Sequence, residues 1–441
     1  MTLLARVQAA GNAYSPQRAY GKADVLEMLK SRVRESLSAD AIAKLALENP
    51  EKARNEIRAI CRSEFEDDAL REVELGQRDR LIEELIDSML GLGPLETLLS
   101  DEAITEIMVN ATQSIFFERA GVLHKSEMSF SSDDEVRMLI DRIIGPLGRR
   151  IDESSPMVNA RLPQGHRVNA IIPPLAVDGP MLTIRTFSHR VITLEDMVES
   201  GSIEPEVRIF LIWAVRLRKS IAVSGGTGSG KTTLLNALSC HIPDSERIIT
   251  IEDSAELRFL KHPHVVRLEA RPRNAEGVGE VTIRDLVANA LRMRPDRIIV
   301  GECRGGEALD MISAMNTGHE GSLTTLHANA PKEAISRLAT MVRFAAELPV
   351  DVIEAQIATA LSLIVQTARS ASGMRVVSRI SGVSFNEANR VCVVEEYYER
   401  DERTGLGFWK MLPDWGRLLS MRGIATEGEV EEWKQGLRFA S

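Results

Sequence analysis

Cysteine is scarce in this chain: four residues in 441, Cys61, Cys240, Cys303 and Cys392, far apart and forming no C-x-x-C pair. That spacing removes a zinc ribbon and argues against a disulfide framework, which suits a reducing compartment. Long apolar runs are missing as well. The most apolar stretch, IFLIWAV (209–215), is far shorter than the roughly 20 residues that span a bilayer, so any membrane association is expected to be peripheral. The opening MTLLARVQAAG is short and soon interrupted by Arg and Gly, unlike a secretory signal. Positive charge is not in excess either. A net charge of -10, with no tract interleaving basic and aromatic residues, speaks against a nucleic-acid partner. No internal repeat or low-complexity tract is present.

What remains is ordinary globular composition, 44% apolar and 27% charged, over a length that allows two or three domains. Residues 1–94 read as helical. Asn49-Pro50 has the form of an N-cap followed by proline at the first helical position. RDRLIEELIDSMLGLGP then sets Leu81, Ile82, Leu85, Ile86 and Met89 on one face and stops at Gly91, Gly93 and Pro94. Over residues 95–190 the texture changes to short β-type runs, ITEIMVN, SIFFER, RVNAIIPP and MLTIRTF, around one helical piece that follows the cap Ser132. A mixed α/β domain is expected there. Residues 191–205 read as a hinge linker. Over residues 206–370 the runs SIAVS, RIITIE, HVVRL, RIIV and SLTTL alternate with helical segments, which predicts a parallel sheet wrapped by helices. In LSLIVQTAR, MRVVSRIS and NRVCVVEEYYE an antiparallel extension is expected, and residues 371–441 form the C-terminal extension.

Within that α/β region, SGGTGSGKTT (224–233) matches G-x-x-x-x-G-K-[ST] between a strand and a helix. Gly225, Gly226, Thr227, Gly228, Ser229 and Gly230 let the loop curl so that backbone N–H groups point inward at phosphates, helped by the helix N-terminus. Lys231 would reach the β- and γ-phosphates, Thr232 would place its hydroxyl on Mg²⁺, and Thr233 follows on the first helical turn. Hydrolysis needs acids at the ends of neighbouring strands. RIITIEDSAE supplies Glu252, Asp253 and Glu256; RIIVGECRGGEALD supplies Glu302. A carboxylate at Glu302 would orient the attacking water, and Glu252 or Asp253 would hold Mg²⁺ through its water shell. Glu256 and Glu307 read equally well as solvated surface charge.

In HEGSLTTLHANAP (319–331) two histidines bracket a strand, which would hold them apart, and no third ligand lies nearby, so zinc fits poorly. His327 falls at the carboxyl end of that strand, where it would sense the γ-phosphate or the carboxylates around it. His319, on the preceding loop, would touch the nucleotide or an adjoining element. Either also reads as a structural histidine with its bonds satisfied.

GGTGSGKTT, TIEDSAEL, RIIVGECRGGEALD and TGHEGSLTTLHANAP stand in the order of the Walker A, Asp-box, variant Walker B and His-box motifs. Together they resemble the type II/type IV secretion (traffic) ATPase superfamily. The likeness extends through LGPLETLLSDEAITEIMVN, RRIDESSPMVNARLPQGHRVNAIIPP, GPMLTIRTF and NALRMRPDRIIVGE. These outer stretches look similar to the CpaF/TadA branch, whose members drive tight-adherence (Flp-type) pili. The resemblance implies an α/β fold with a RecA-like P-loop domain behind a mixed α/β N-terminal domain, ATP and Mg²⁺ as ligands, and a homohexameric ring. It also implies inner-membrane platform partners, a pilin or secreted substrate, and a place on the cytoplasmic face of the bacterial inner membrane. Arg167 and Arg185, with Arg161 weaker, match the arginines that the N-terminal domain donates to phosphates. Arg271, Arg273 and Arg292 are further candidates. A tetracysteine zinc module and an AIRE-type retraction signature are absent, and Ser372-Gly373-Met374-Arg375 replaces the D-G-x-R turn common in the Tad branch. A nucleotide-gated scaffold and a DNA-transport ATPase are the competing functions.

Overall fold

The computed structural model describes residues 22–440 apart from 38–40, 43–44, 46–48, 67–69, 72, 113, 120, 131, 148, 163, 187–190, 260–261, 274–276 and 371. The chain divides into two compact units, Met1–Phe187 and Ser188–Ser441.

The first unit begins with helices α1 (Lys22–Ser36), α2 (Pro50–Glu64) and α3 (Leu75–Leu90). The Asn49 side chain accepts the Lys52 N–H at 3.0 Å, and Pro50 occupies a position where the missing N–H leaves no partner unsatisfied. Leu81, Ile82, Leu85 and Ile86 of α3 are buried against Val25, Leu29 and Val33 of α1 and Ile57 of α2. Six antiparallel strands follow: β1 (Ile104–Asn110), β2 (Ser114–Arg119), β3 (Val122–Lys125), β4 (Met157–Arg161), β5 (Arg167–Ile171) and β6 (Met181–Arg185). They lie in the order β3-β2-β1-β6-β5-β4. Helix α4 (Asp133–Ile144), capped by Ser132, buries Val136, Leu139, Ile140, Ile143 and Ile144 in the core of that sheet. The helical region and the mixed domain share this unit. Arg142 of α4 donates to the Ser88 and Gly91 carbonyls at 3.0 and 2.7 Å, satisfying acceptors that the end of α3 would otherwise orphan.

The second unit starts earlier than its expected core. The stretch expected as a linker holds α5 (Leu194–Glu199), started by a capping box between Thr193 and Asp196. Leu194 and Met197 of α5 are buried with Phe210 and Leu211 of α6 (Pro205–Arg216). The T-x-x-D spacing fixes a helix start, and two apolar residues three apart give it a face to bury. Strands β7 (Ile221–Gly225), β8 (Ile248–Glu252), β9 (Val265–Glu269), β10 (Arg297–Val300), β11 (Leu323–Leu326), β12 (Leu363–Arg369), β13 (Arg375–Asn386), β14 (Val391–Arg400) and β15 (Gly407–Trp409) form one sheet. Its order is β15-β14-β13-β12-β7-β11-β10-β8-β9. The pairs from β12 through β9 are all parallel. LSLIVQTAR therefore belongs to the parallel part, and the antiparallel extension begins only at β13. Every residue of β7, β8, β10 and β11 is buried, as a sheet covered on both faces requires.

The four tryptophans of the chain all lie in this unit. Phe210 stacks on Trp415 at 4.9 Å and meets Trp409 edge-on at 5.2 Å, while Trp433 donates to the Glu206 carbonyl at 3.0 Å. At the opposite end of the sheet from the loops that follow β7, β8 and β10, Arg297 is fully buried. Its Nε and Nη2 grip the Glu246 carboxylate at 2.6 and 3.1 Å, and Nη1 donates to the Gly321 carbonyl at 3.2 Å. Arg297→Ala leaves Glu246 short of its main partner, so it is expected to reduce unfolding free energy by about 3 kcal/mol. Tryptophan fluorescence in urea reads that loss from this unit alone; an unchanged midpoint would contradict it.

Candidate active site

The parallel register places the carboxyl ends of β7, β8, β10 and β11 side by side. From β7 the chain turns through residues 225–230 into α7 (Lys231–Ser239), with Gly230, at φ 95°, as the N-cap. Gly225 tolerates no side chain, since a Cβ would lie 2.5 Å from Ser229 Oγ and closer still to Thr367 Oγ1. The loop thus rests on β12, where the Ser229 and Thr367 hydroxyls meet at 2.7 Å and Thr367 reaches the Ser224 carbonyl at 3.1 Å. Thr232 and Thr233 take the first turn of α7.

Lys231 is 7% exposed. Its Nζ donates to the Gly225 and Gly226 carbonyls at 3.1 and 2.8 Å and lies 3.4 Å from His327 Nδ1. His327 Nε2 in turn stands 3.0 Å from Glu302 Oε1. Burial, together with the Lys231 charge, holds His327 below the usual histidine range. The neutral ring therefore accepts from Lys231 at Nδ1 and turns its Nε2–H toward Glu302. Burial alone would raise the Glu302 carboxyl, but Arg304 above all, with Lys231, outweighs it and keeps the group ionised. The Oε1 contact is not aligned as a hydrogen bond, so this buried oxygen has no hydrogen-bond partner. Oε2 accepts from Arg304 at 2.7 Å, and Arg304 also donates to Asp253 at 3.3 Å.

Glu252 is the last residue of β8. It is 3% exposed, and its carboxylate accepts the N–H groups of Glu256 at 2.9 Å and Leu257 at 3.0 Å. Those bonds hold the turn after β8, and Asp253 is the more accessible acid. Gly301 is required beside it, because a Cβ there would stand 2.8 Å from Glu252 Cγ. Glu307 likewise has a local role: its Oε1 accepts the N–H groups of Arg304 and Gly305 at 2.6 and 2.8 Å.

His319 stands away from the phosphate loop and touches an adjoining element. It precedes β11, which runs parallel to β7, so about 13 Å of strand separates it from the phosphate-loop end. Its ring bonds the Ala314 carbonyl at 3.2 Å instead. Arg271, Arg273 and Arg292 bond the Gly279 carbonyl, Glu280 and the Ala288 carbonyl respectively. In the first unit the three arginines singled out by resemblance fall in one cross-strand row. Arg161 faces Arg167, Arg167 faces Arg185, and Arg185 faces Glu106.

Two contributors are not evident as site residues in the sequence. Gln366, buried in β12, accepts from the Ser224 hydroxyl and donates to the Ala328 carbonyl at 3.0 Å. It couples the last turn of the phosphate-loop strand to the residue after His327. Its only signal is an amide within the apolar run LIVQT. Arg304 lies in plain view two residues beyond Glu302.

A family model described as type II/IV secretion system protein matches residues 88–398. The chain belongs to that family. It is 38% identical over 299 residues to the putative conjugal transfer protein Rv3659c of Mycobacterium tuberculosis, covering 66% of this chain and 84% of that one. It is 36% identical over 322 residues to the conjugal transfer protein TrbB of Rhizobium radiobacter, covering 71% and 94%. With the type IV secretion system protein VirB11 of Brucella suis it shares 36% over 289 residues, covering 59% and 80%. The X-ray structure of the Yersinia pseudotuberculosis ATPase DotB matches with a TM-score of 0.50 at 18% identity, covering 67% of this chain and 79% of that one, which shows a common fold. The chain is accordingly a secretion-system ATPase with a RecA-like domain.

Burial pushes Glu252 up to about 7 against its backbone hydrogen bonds. A carboxyl raised on folding retains its proton where the unfolded chain has lost it, so stability from this group is full near pH 4 and is lost as pH rises to about 7. Glu252→Gln is expected to abolish that decline, worth up to about 3 kcal/mol at 1.36 kcal/mol per unit. Thermal melts of both proteins from pH 4 to 8 check it; parallel curves would contradict it.

Proposed function

We propose that this secretion ATPase is an Mg²⁺-dependent motor that works as a homohexamer on the cytoplasmic face of the bacterial inner membrane. It drives platform proteins that assemble a pilus or export a protein, as in the CpaF/TadA branch. Among the described residues no helix is long and apolar enough to cross a membrane, which accords with docking on partners that do. The observation that carries the reading is Glu302, whose buried Oε1 has no hydrogen-bond partner beside Lys231 and His327. A scaffold that only bound nucleotide would have no need of an ionised, unsatisfied acceptor there.

Among the described residues no group of three or more His, Cys, Asp or Glu side chains is placed to hold a metal ion. The residues that fit Mg²⁺ are Thr232 and Asp253, a hydroxyl and an accessible carboxylate, which supply part of a shell that substrate phosphates complete. Bound there, the ion would neutralise charge on the β- and γ-phosphates. Lys231 exchanges its loop carbonyls for phosphate oxygens. Glu302 orients water for attack on the γ-phosphorus, and His327, lying between Lys231 and Glu302, registers loss of the γ-phosphate. Arg167 and Arg185 offset the charge that spreads over the transferred group, a contribution worth roughly 10³–10⁵ in related hydrolases. A DNA-transport role is the second reading, favoured by the names of the conjugal transfer relatives and opposed by the net charge of -10.

Steady-state phosphate release tests the motor. Glu302→Gln, Lys231→Ala and Arg185→Ala should each slow it by roughly 100-fold or more, and mass measurement with a non-hydrolysable ATP analogue should find six copies. Wild-type turnover no faster than that of Glu302→Gln would sink the reading. Stimulation by single-stranded DNA, absent with pilus platform proteins, would favour the second.

A further inference from the structure

Arg304 sits where the nucleotide reading wants a divalent ion to act. Its guanidinium spans two carboxylates from the ends of paired strands, Glu302 after β10 at 2.7 Å and Asp253 after β8 at 3.3 Å. Without a cation those two acids would repel each other. The side chain is 63% exposed, with Asp253 at 50% and Glu302 at 19%, so the fork can leave into solvent with little rearrangement. The main chain beneath it is pinned by Glu307, which accepts the Arg304 and Gly305 N–H groups. A fixed backbone with a releasable charged head is suited to a cation that holds a place and then yields it.

We propose that Arg304 is a positioning residue that occupies the Asp253–Glu302 pair in the nucleotide-free protein and is displaced when Mg²⁺ arrives with the triphosphate. This deepens the nucleotide-hydrolysis reading and rests on it. While Arg304 is in place, Glu302 Oε2 is engaged and Asp253 is neutralised, so the acids are kept assembled but unable to serve a metal shell or a water. With Asp253 holding Mg²⁺, Arg304 would lose the charge that keeps its fork in place. The Glu302 carboxylate, relieved of its bond to Arg304, is then free to orient water. The consequence is that metal and Arg304 compete for one place, which makes Arg304 a brake on metal entry in addition to a support for the acids.

Exposed ion pairs are individually weak, and two are broken together here. Arg304→Ala should therefore lower the Mg²⁺ concentration that half-saturates binding of a fluorescent non-hydrolysable ATP analogue by roughly three- to tenfold. Affinity for the same analogue in EDTA should stay within about twofold. Arg304→Lys, which keeps charge but loses the two-pronged fork, should fall between Arg304→Ala and wild type, and it guards against loss of fold in the alanine variant. A raised Mg²⁺ requirement, or weaker binding in EDTA, would make Arg304 a phosphate ligand and overturn the proposal. An unmoved Mg²⁺ midpoint with normal melting would also overturn it. Failure of the underlying reading looks different, since wild type would then bind no analogue with or without Mg²⁺.

Discussion

One buried ammonium group organises the candidate site. Lys231 reaches back to the Gly225 and Gly226 carbonyls and faces His327, which faces Glu302. Taking a lysine to 7% exposure is costly unless its donors are matched, and burial indeed pushes its pKa down while Glu302 pulls it up. Loop carbonyls are modest partners for a full positive charge. They hold it in the absence of phosphate and give way to anionic oxygens, which are better ones. The remaining geometry follows from keeping this charge where four parallel strands end.

The supports are distributed along the chain in a way that ties chemistry to architecture. β12 underlies the phosphate loop through Thr367 and couples it to the His327 loop through Gln366. Glu252 shapes the turn that presents Asp253, and Glu307 fixes the turn that presents Arg304. These contacts are buried or made to the backbone, and they tie the functional groups to the framework. The outer side chains, Arg304 and Asp253, remain half exposed and able to move. Rigid framework and mobile charge are thereby separated within a few residues.

Much of this was legible in the residues themselves. A phosphate loop must have glycine where backbone meets neighbouring strands, as at Gly225, and that need is written directly in the sequence. The caps at Asn49 and Ser132 and the apolar face of α3 are local signals, and local signals were sufficient. Glu302 and His327 could be placed because each follows a short β-branched run. What could not be read depends on which atoms meet across long separations. Gln366 and Ser224 are 142 residues apart, and nothing in LIVQT says that the amide faces a phosphate loop. Glu252 and Asp253 are neighbours of the same chemistry, yet the strand's pleat turns one inward to the turn and leaves the other outside. That a strand holds His319 and His327 apart was legible in HEGSLTTLHANAP, whereas the bond from His319 to the Ala314 carbonyl was not. The helix at Leu194–Glu199 is different: its T-x-x-D start is in the sequence, but a stretch with few β-branched runs reads as a linker or hinge.

The family assignment carries the catalytic class, while direction of work, cargo and ring geometry rest on the reading proposed for the site. The most direct test of the central claim is a structure determined with Mg²⁺ and a non-hydrolysable ATP analogue. Lys231 Nζ should then have left the Gly225 and Gly226 carbonyls for the β- and γ-phosphate oxygens. A triphosphate seated in the loop with Lys231 still bonded to those carbonyls would contradict it.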